Sequence, residues 1–317
     1  PAVRPSPTAG TALRYAARPV EPATHDFYGG HRLGDNLFSE SLVCLNAATG
    51  ERVWHFQIVH HGIWDYDPPA APILRDITVE GRPIKAVVQV TKQGFAFVFD
   101  RVTGEPVWPI EERPVPQSDV PGERSSPTQP FPTKPAPFES QGVTENDLID
   151  FTPDLRAEAV EIMNRYKIGP LYTPPVLAEG KPGSPLGTLM LPGYGGGANW
   201  PGAAFDPETG VLYIPSRTMI MSASVGIPDR ARSNLDYSRD PTTVPAGPRG
   251  LPLGKPPWSS ITAIDLNTGD HLWRIPNGAA PETVQEHPDL QGLGLDFAQM
   301  GSMGRPGVLV TRTLLIA

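Results

Sequence analysis

Asp100-Arg101-Val102-Thr103-Gly104-Glu105-Pro106-Val107-Trp108 is the stretch that decides the fold, because it recurs. Asn46-Ala47-Ala48-Thr49-Gly50 leads to Trp54, and Asp265-Leu266-Asn267-Thr268-Gly269 leads to Trp273. A further copy, Asp206-Pro207-Glu208-Thr209-Gly210, is followed by Val211-Leu212-Tyr213-Ile214 with no tryptophan at the matching place. Each copy follows an apolar run such as Phe95–Phe99 or Ile261–Ile264. The unit reads as a β-hairpin: Asp or Asn starts the turn by bonding its own backbone, and Gly supplies the positive φ. A tryptophan four residues after the glycine falls on the returning strand, where it can pack between neighbouring sheets.

A unit repeated at this period implies a radial array of four-stranded sheets, a β-propeller. Gly50 to Gly104 is 54 residues and Gly210 to Gly269 is 59, each read as one blade with a long loop. Gly104 to Gly210 is 106, which holds either two blades or one blade with a large insertion, and the insertion is the favoured reading. The insertion is placed at residues 109–190, where Pro127-Thr128-Gln129-Pro130-Phe131-Pro132 cannot make central strands. Two helix starts lie inside it. Thr144 with Asp147 resembles a capping box, and Thr152-Pro153-Asp154 sets a cap, a first-turn proline and an acid. Leu155, Ala159, Ile162, Met163 and Tyr166 then form one apolar stripe, read as a helix packed on the rim.

Bulk properties narrow the function. Pro 40 and Gly 32 make 72 of 317 residues, but short Val-, Ile- and Phe-rich runs alternate with them, which suits strands and elaborate loops. A net charge of −8 with no dense basic cluster argues against nucleic acid as partner. No apolar run is long enough to span a membrane. The single cysteine, Cys44, reads as a small buried apolar residue. The chain opens at Pro1 and ends in an apolar strand pattern, Val308–Ala317, with no turn to close it; the expectation is an internal piece of a longer propeller.

Three places carry more chemistry than a scaffold needs. His60-His61-Gly62-Ile63-Trp64-Asp65-Tyr66-Asp67 packs two imidazoles, an indole, a phenol and two carboxylates ahead of Pro68-Pro69. Such a setting can tune a carboxylate base. Lys92 stands between two strands in Val90-Thr91-Lys92-Gln93-Gly94. Gly193-Tyr194-Gly195-Gly196-Gly197-Ala198-Asn199-Trp200-Pro201-Gly202 lets backbone approach a ligand closely and adds an amide and a flat indole. The glycine run lacks the Lys-Ser/Thr ending of a phosphate loop.

Together the Thr-Gly-x-x-x-Trp units, His60-His61-x-x-Trp64-Asp65, Thr91-Lys92-x-Gly94 with Asp100-Arg101-x-Thr103-Gly104, and Asn199-Trp200-Pro201-Gly202 resemble the PQQ-dependent (quinoprotein) dehydrogenases, most nearly the glucose-dehydrogenase-like branch. The resemblance runs from about Asp26 onward, and Asp65 and Lys92 are 27 apart, as the family's catalytic acid and PQQ-contacting lysine are in membrane glucose dehydrogenases. It implies an all-β, eight-bladed propeller, roughly half of it present, with residues 1–317 in one domain. It implies oxidation of an aldose or related alcohol in the periplasm, with electrons passed to a quinone or a cytochrome.

Asp65 would be the general base and Lys92 the partner of the quinone oxygens. Asn199 and Trp200 would line the cofactor pocket. A divalent ion, Ca²⁺ with Mg²⁺ or a lanthanide as alternatives, would draw on Asp26 and Asp67, although the Gly-x-Gly-Asn form of the methanol enzymes is missing around Asp26. Two rivals remain open: a cofactor-free scaffold like the outer-membrane assembly lipoproteins that share the tryptophan repeat, and a quinoprotein acting on simple primary alcohols.

Overall fold

The structure is a computed structural model that describes residues 15–240 and 244–317. Its strands come in hairpins closed by the repeated turn. The first sheet orders β1 (Tyr15–Pro19), β2 (Ser41–Asn46) and β3 (Arg52–Gln57), all antiparallel. The second orders β4 (Ile73–Val79), β5 (Arg82–Val90) and β6 (Ala96–Asp100), and Pro106 and Val107 extend it beyond β6. In both, Asn46 or Asp100 accepts the backbone N–H groups of the turn through its side chain, and Gly50 and Gly104 take φ near +78°.

Residues 109–190 belong to no blade-like meander. They hold the hairpin of β7 (Ile110–Pro114) and β8 (Thr128–Pro132), a 3₁₀ turn at Glu145–Asp147 and α1 (Pro153–Met163), then two short strands, β9 (Val176–Leu177) and β10 (Thr188–Met190). The 3₁₀ turn carries the Thr144–Asp147 capping box, and α1 is capped by Thr152 with Leu155, Ala159 and Met163 buried. Ile162 and Tyr166 pack partly buried on the same core.

The third sheet corrects one reading of the spacing. It orders β11 (Ala204–Asp206), β12 (Val211–Arg217), β15 (Ser259–Asp265) and β16 (Asp270–Pro276). Gly210 and Gly269 therefore close two hairpins of one sheet, and their 59-residue interval lies inside a blade. Between the central pair lies a long excursion with β13 (Met221–Gly226) and β14 (Ser238–Arg239), which pairs with β9 and β10. The copy without a tryptophan also differs in place: its returning strand, β12, is an inner strand paired with β15. After β16 come the short α2 (Glu282–Gln285) and a terminal hairpin, β17 (Leu309–Val310) with β18 (Leu315–Ile316). The run Val308–Ala317 thus does turn, because the Thr311 hydroxyl accepts from Thr313 and Leu314.

The sheets stack face to face, as propeller blades do. Trp54 and Phe56 meet Phe97 and Phe99 between the first two sheets, and Val88 and Val98 meet Leu212, Ile214 and Ile264 between the second and third. The repeat supplies the joint. A Cβ on Gly104 would come within 2.6 Å of the Trp54 ring, and one on Gly269 within 3.0 Å of Trp108. Each tryptophan therefore lies on the turn glycine of the following sheet, and Trp54 Nε1 also donates to Arg101 O at 3.1 Å. Cys44 is buried in the first interface, as a small apolar residue would be.

Candidate functional site

The loop from β3 to β4 is anchored at alternate points, and the anchors leave two carboxylates together. His60 pairs with Glu112 at 3.0 Å, and its N–H donates to Gln129 Oε1, so β7 and β8 of the insertion hold the loop's start. Trp64 is wholly buried and donates to Thr173 O at 3.1 Å. Tyr66 is equally buried and donates to Pro192 O, and both rings stand edge-on to Tyr172. What remains free to act is Asp65 and Asp67.

Lys92 meets both. It follows β5, its side chain is nearly enclosed, and its Nζ donates to Asp65 Oδ1 at 2.9 Å, Asp65 O at 2.8 Å and Asp67 Oδ1 at 2.6 Å. All three ammonium protons are thereby used. Burial pushes the Asp65 carboxyl up to about 7, against the opposing pull of the Lys92 ammonium. Burial opposes the charge on Lys92 as well, but the two carboxylates more than offset it and raise its pKa. The site therefore holds a carboxylate near neutrality beside a fixed cation.

Beneath the loop lie residues that the sequence did not single out. Glu40 is fully buried, burial pushes its carboxyl up to about 8, and neither oxygen has a hydrogen-bond partner. Its carboxyl occupies the place where a side chain on Gly62 would go. Glu123 is buried against His61, Oε1 to Nε2 at 2.8 Å, while His61 Nδ1 donates to Gly34 O at 2.7 Å. Glu123 also accepts the N–H groups of Gly29 and Arg124, so hydrogen bonds and the His61 charge hold it below the ordinary carboxylate range despite burial. Non-glycine residues with positive φ gather here: Glu40 (+46°), His61 (+45°) and Asp65 (+57°). Such strain persists only where the surroundings over-determine it. Only the doubled histidine hinted at this clamp in the sequence.

The glycine loop borders the same site. Gly197 N–H donates to Lys92 O at 2.8 Å, and a Cβ on Gly196 would come within 2.6 Å of Lys92 Cγ. Asn199 spends its amide on its own loop, Nδ2 to Gly195 O at 2.8 Å and Oδ1 accepting from Trp200 N at 2.8 Å. Trp200 is 82% exposed, so among the described residues it lines no enclosed cavity. The expected metal residues stay apart in their contacts: Asp67 faces Lys92, while Asp26 acts on His25 and Arg32. Among the described residues no three His, Cys, Asp or Glu side chains are placed to hold a metal ion, so no complete ion site is formed.

Residues 9–317 match the family described as PQQ: Glucose/ethanol/alcohol dehydrogenase, beta-propeller domain. The chain belongs to this family. Similar curated proteins include the quinoprotein glucose dehydrogenase of Escherichia coli, 32% identical and covering 84% of this chain and 35% of that protein. The quinate/shikimate dehydrogenase (quinone) of Acinetobacter baylyi is 30% identical, over 92% of this chain and 37% of its own length. The glycerol dehydrogenase large subunit of Gluconobacter oxydans is 31% identical, over 86% and 40%. A europium-containing methanol dehydrogenase shares the fold, with TM-score 0.50 and 20% identity over 84% of this chain and 38% of that one. The chain spans a little over a third of the length of these curated relatives. Relatives in this PQQ family are named for sugars, polyols and alcohols, and no helix among the described residues is long and apolar enough to cross a membrane.

Proposed function

We propose that the protein containing this chain oxidises a hydroxyl group of an aldose or related alcohol with PQQ, and that Asp65 is the base that takes the hydroxyl proton. One observation carries the reading: a buried ammonium, Lys92, is fixed against a carboxylate that its surroundings push up to about 7. A general base works best when its pKa is near the working pH, and a fixed cation stabilises charge where it develops. A tryptophan-repeat scaffold has no use for either, which disfavours the cofactor-free rival.

The residues fit the quinone. Lys92 is the one cation in the cluster with Asp65 and Asp67, and Gly196–Gly197 bring bare backbone against it. Bound PQQ would supply a quinone carbonyl system able to accept a hydride from the carbinol carbon. Asp65 would accept the hydroxyl proton on its carboxylate, and Lys92 would donate to the quinone oxygens in place of one of its present carboxylate bonds. Trp64 and Tyr66 hold Asp65 in position from either side of it in sequence. Asn199 and Trp200 border the cofactor, Asn199 by fixing the loop.

The residues described here do not complete a cation site, so no step runs through one. Ca²⁺, with Asp26 and Asp67 among its ligands, belongs to the same proposal, as do a quinone or cytochrome acceptor, a periplasmic location and one propeller domain over 1–317 with its insertion at 109–190. The test is Asp65→Asn in the intact protein. Dye-linked turnover should fall by about 10²–10⁴-fold, with PQQ still bound by absorbance. Turnover within a few-fold of the parent would sink Asp65 as the base, and a parent that binds no PQQ would sink the reading as a whole.

A further inference from the structure

At the end of β12 two side-chain donors have no acceptor among the described residues. Ser216 is buried and its Oγ has no partner; Arg217 is half-buried and its Nε has none either. The Arg217 guanidinium donates from Nη2 to Met219 Sδ at 2.9 Å. Arg305, from the segment after the third sheet, donates to Gly195 O at 3.0 Å, the same carbonyl that accepts Asn199 Nδ2. Among the described residues neither arginine has an acidic partner. Burial and the Arg305 charge together lower the pKa of Arg217.

All three residues line one small cleft, about 10 Å³, with Gly197 and Asn199. That is room for about one oxygen atom the size of a water. The cleft is one backbone rung from the site already described, because Arg217 N–H donates to Gly197 O at 2.9 Å and Gly197 N–H to Lys92 O at 2.8 Å. Two guanidinium groups bordering one cleft, with an unpartnered buried hydroxyl on a residue of its lining, match a carboxylate whose charge the arginines share.

We propose that Ser216, Arg217 and Arg305 form a carboxylate-binding site beside the Asn199 loop. The carboxylate belongs either to PQQ, a tricarboxylic acid, or to an acidic substrate such as a polyhydroxy acid; only that choice rests on the PQQ reading.

The test compares the intact protein with Arg217→Gln, Arg305→Gln and the double variant, and with Arg217→Lys as the charge-conserving control. If the carboxylate is the cofactor's, the PQQ concentration for half-maximal quenching of tryptophan fluorescence rises at least tenfold in the double variant, and Arg217→Lys recovers part of it. If it is the substrate's, the ratio of kcat/KM for a polyhydroxy acid to that for the matching neutral polyol falls at least tenfold. Malonate probes the cleft without PQQ or turnover: at equal ionic strength it should raise the parent's Tm over chloride more than it raises the double variant's. A malonate effect equal in parent and double variant overturns the proposal whatever becomes of the PQQ reading. So does a change below twofold in both PQQ affinity and acid-to-polyol ratio in a protein that binds PQQ.

Discussion

Lys92 and Arg217 occupy matching places, each at the end of a sheet's second strand, yet their surroundings are opposite. Lys92 follows β5 and is answered by two carboxylates from the loop that enters its own sheet. Arg217 ends β12 and meets, from the loop that enters its sheet, glycine backbone and a second arginine beyond it. The scaffold repeats while the side chains on its rim do not. At the Lys92 position charge is balanced within the protein; at the Arg217 position it is left for a ligand.

The largest effect should come from unbalancing the first site. Lys92→Met leaves Asp65 and Asp67 facing each other with no cation, and breaking a buried pair in this way costs about 3–5 kcal/mol. Urea denaturation of the intact protein should show that loss at neutral pH, and cofactor affinity should fall with it. A loss under about 1 kcal/mol, within reach of an exposed pair, would mean the two carboxylates are already relieved by something else. Gly62→Ala comes next. Its methyl would fall on the Glu40 carboxyl, which is fully buried and would have to move, and overpacking of this kind costs about 1–3 kcal/mol. The matching change at the second site, Gly197→Ala, meets the Glu139 side chain at 3.2 Å and Lys92 O at 3.6 Å and should cost less. Equal losses would erase the contrast between a packed floor and an open one.

These differences also mark what the sequence could disclose. The hairpin turns were legible because each needs a residue type that little else requires: Asp100 to accept the turn's N–H groups, Gly104 for positive φ and for the close approach of Trp54. Asp65 and Lys92 stood out because two carboxylates, aromatics and a lone lysine are an expensive set to place in loops. The sharing of one sheet by Gly210 and Gly269 was hidden, since a 41-residue excursion between β12 and β15 gives the interval the length of a whole blade. Glu40 and Glu123 were hidden for a different reason. Their meaning lies in burial against Gly62 and His61, partners 22 and 62 residues away, and no local pattern records a contact of that span. The exposure of Trp200 was hidden too, since an indole beside a glycine loop reads as a wall whether its ring is enclosed or, as here, 82% exposed.

The His61–Glu123 clamp gives the pH dependence. Glu123 is held below its unfolded value of 4.5, so its contribution is fully present above that pH and is lost as pH falls through the folded value. Acid unfolding of the intact protein should therefore begin at higher pH in Glu123→Gln, with the difference between variant and parent shrinking below pH 4. A parallel pair of curves down to low pH would mean that His61 gains nothing from the carboxylate. The Arg217 position offers no such acid-linked term, having no carboxylate to protonate.

The smallest effect is expected where the comparison is sharpest. Replacing Lys92 removes the cation paired with Asp65 and Asp67, but Arg217→Gln removes one of two like charges and breaks no ion pair among the described residues. The lost guanidinium contacts are with Met219 sulfur and with the walls of a cleft about the size of one water. Relief of repulsion from Arg305 and release of a half-buried charge work in the protein's favour; the lost packing of the arginine stem works against it. Both are small, so the unfolding free energy of the ligand-free protein should change by no more than about 0.5 kcal/mol. A loss of about 2 kcal/mol or more would mean that Arg217 is a structural residue answered by a part of the protein outside this chain. Near-neutral stability would mean that the fold does not need the charge, as expected of a residue held for a ligand.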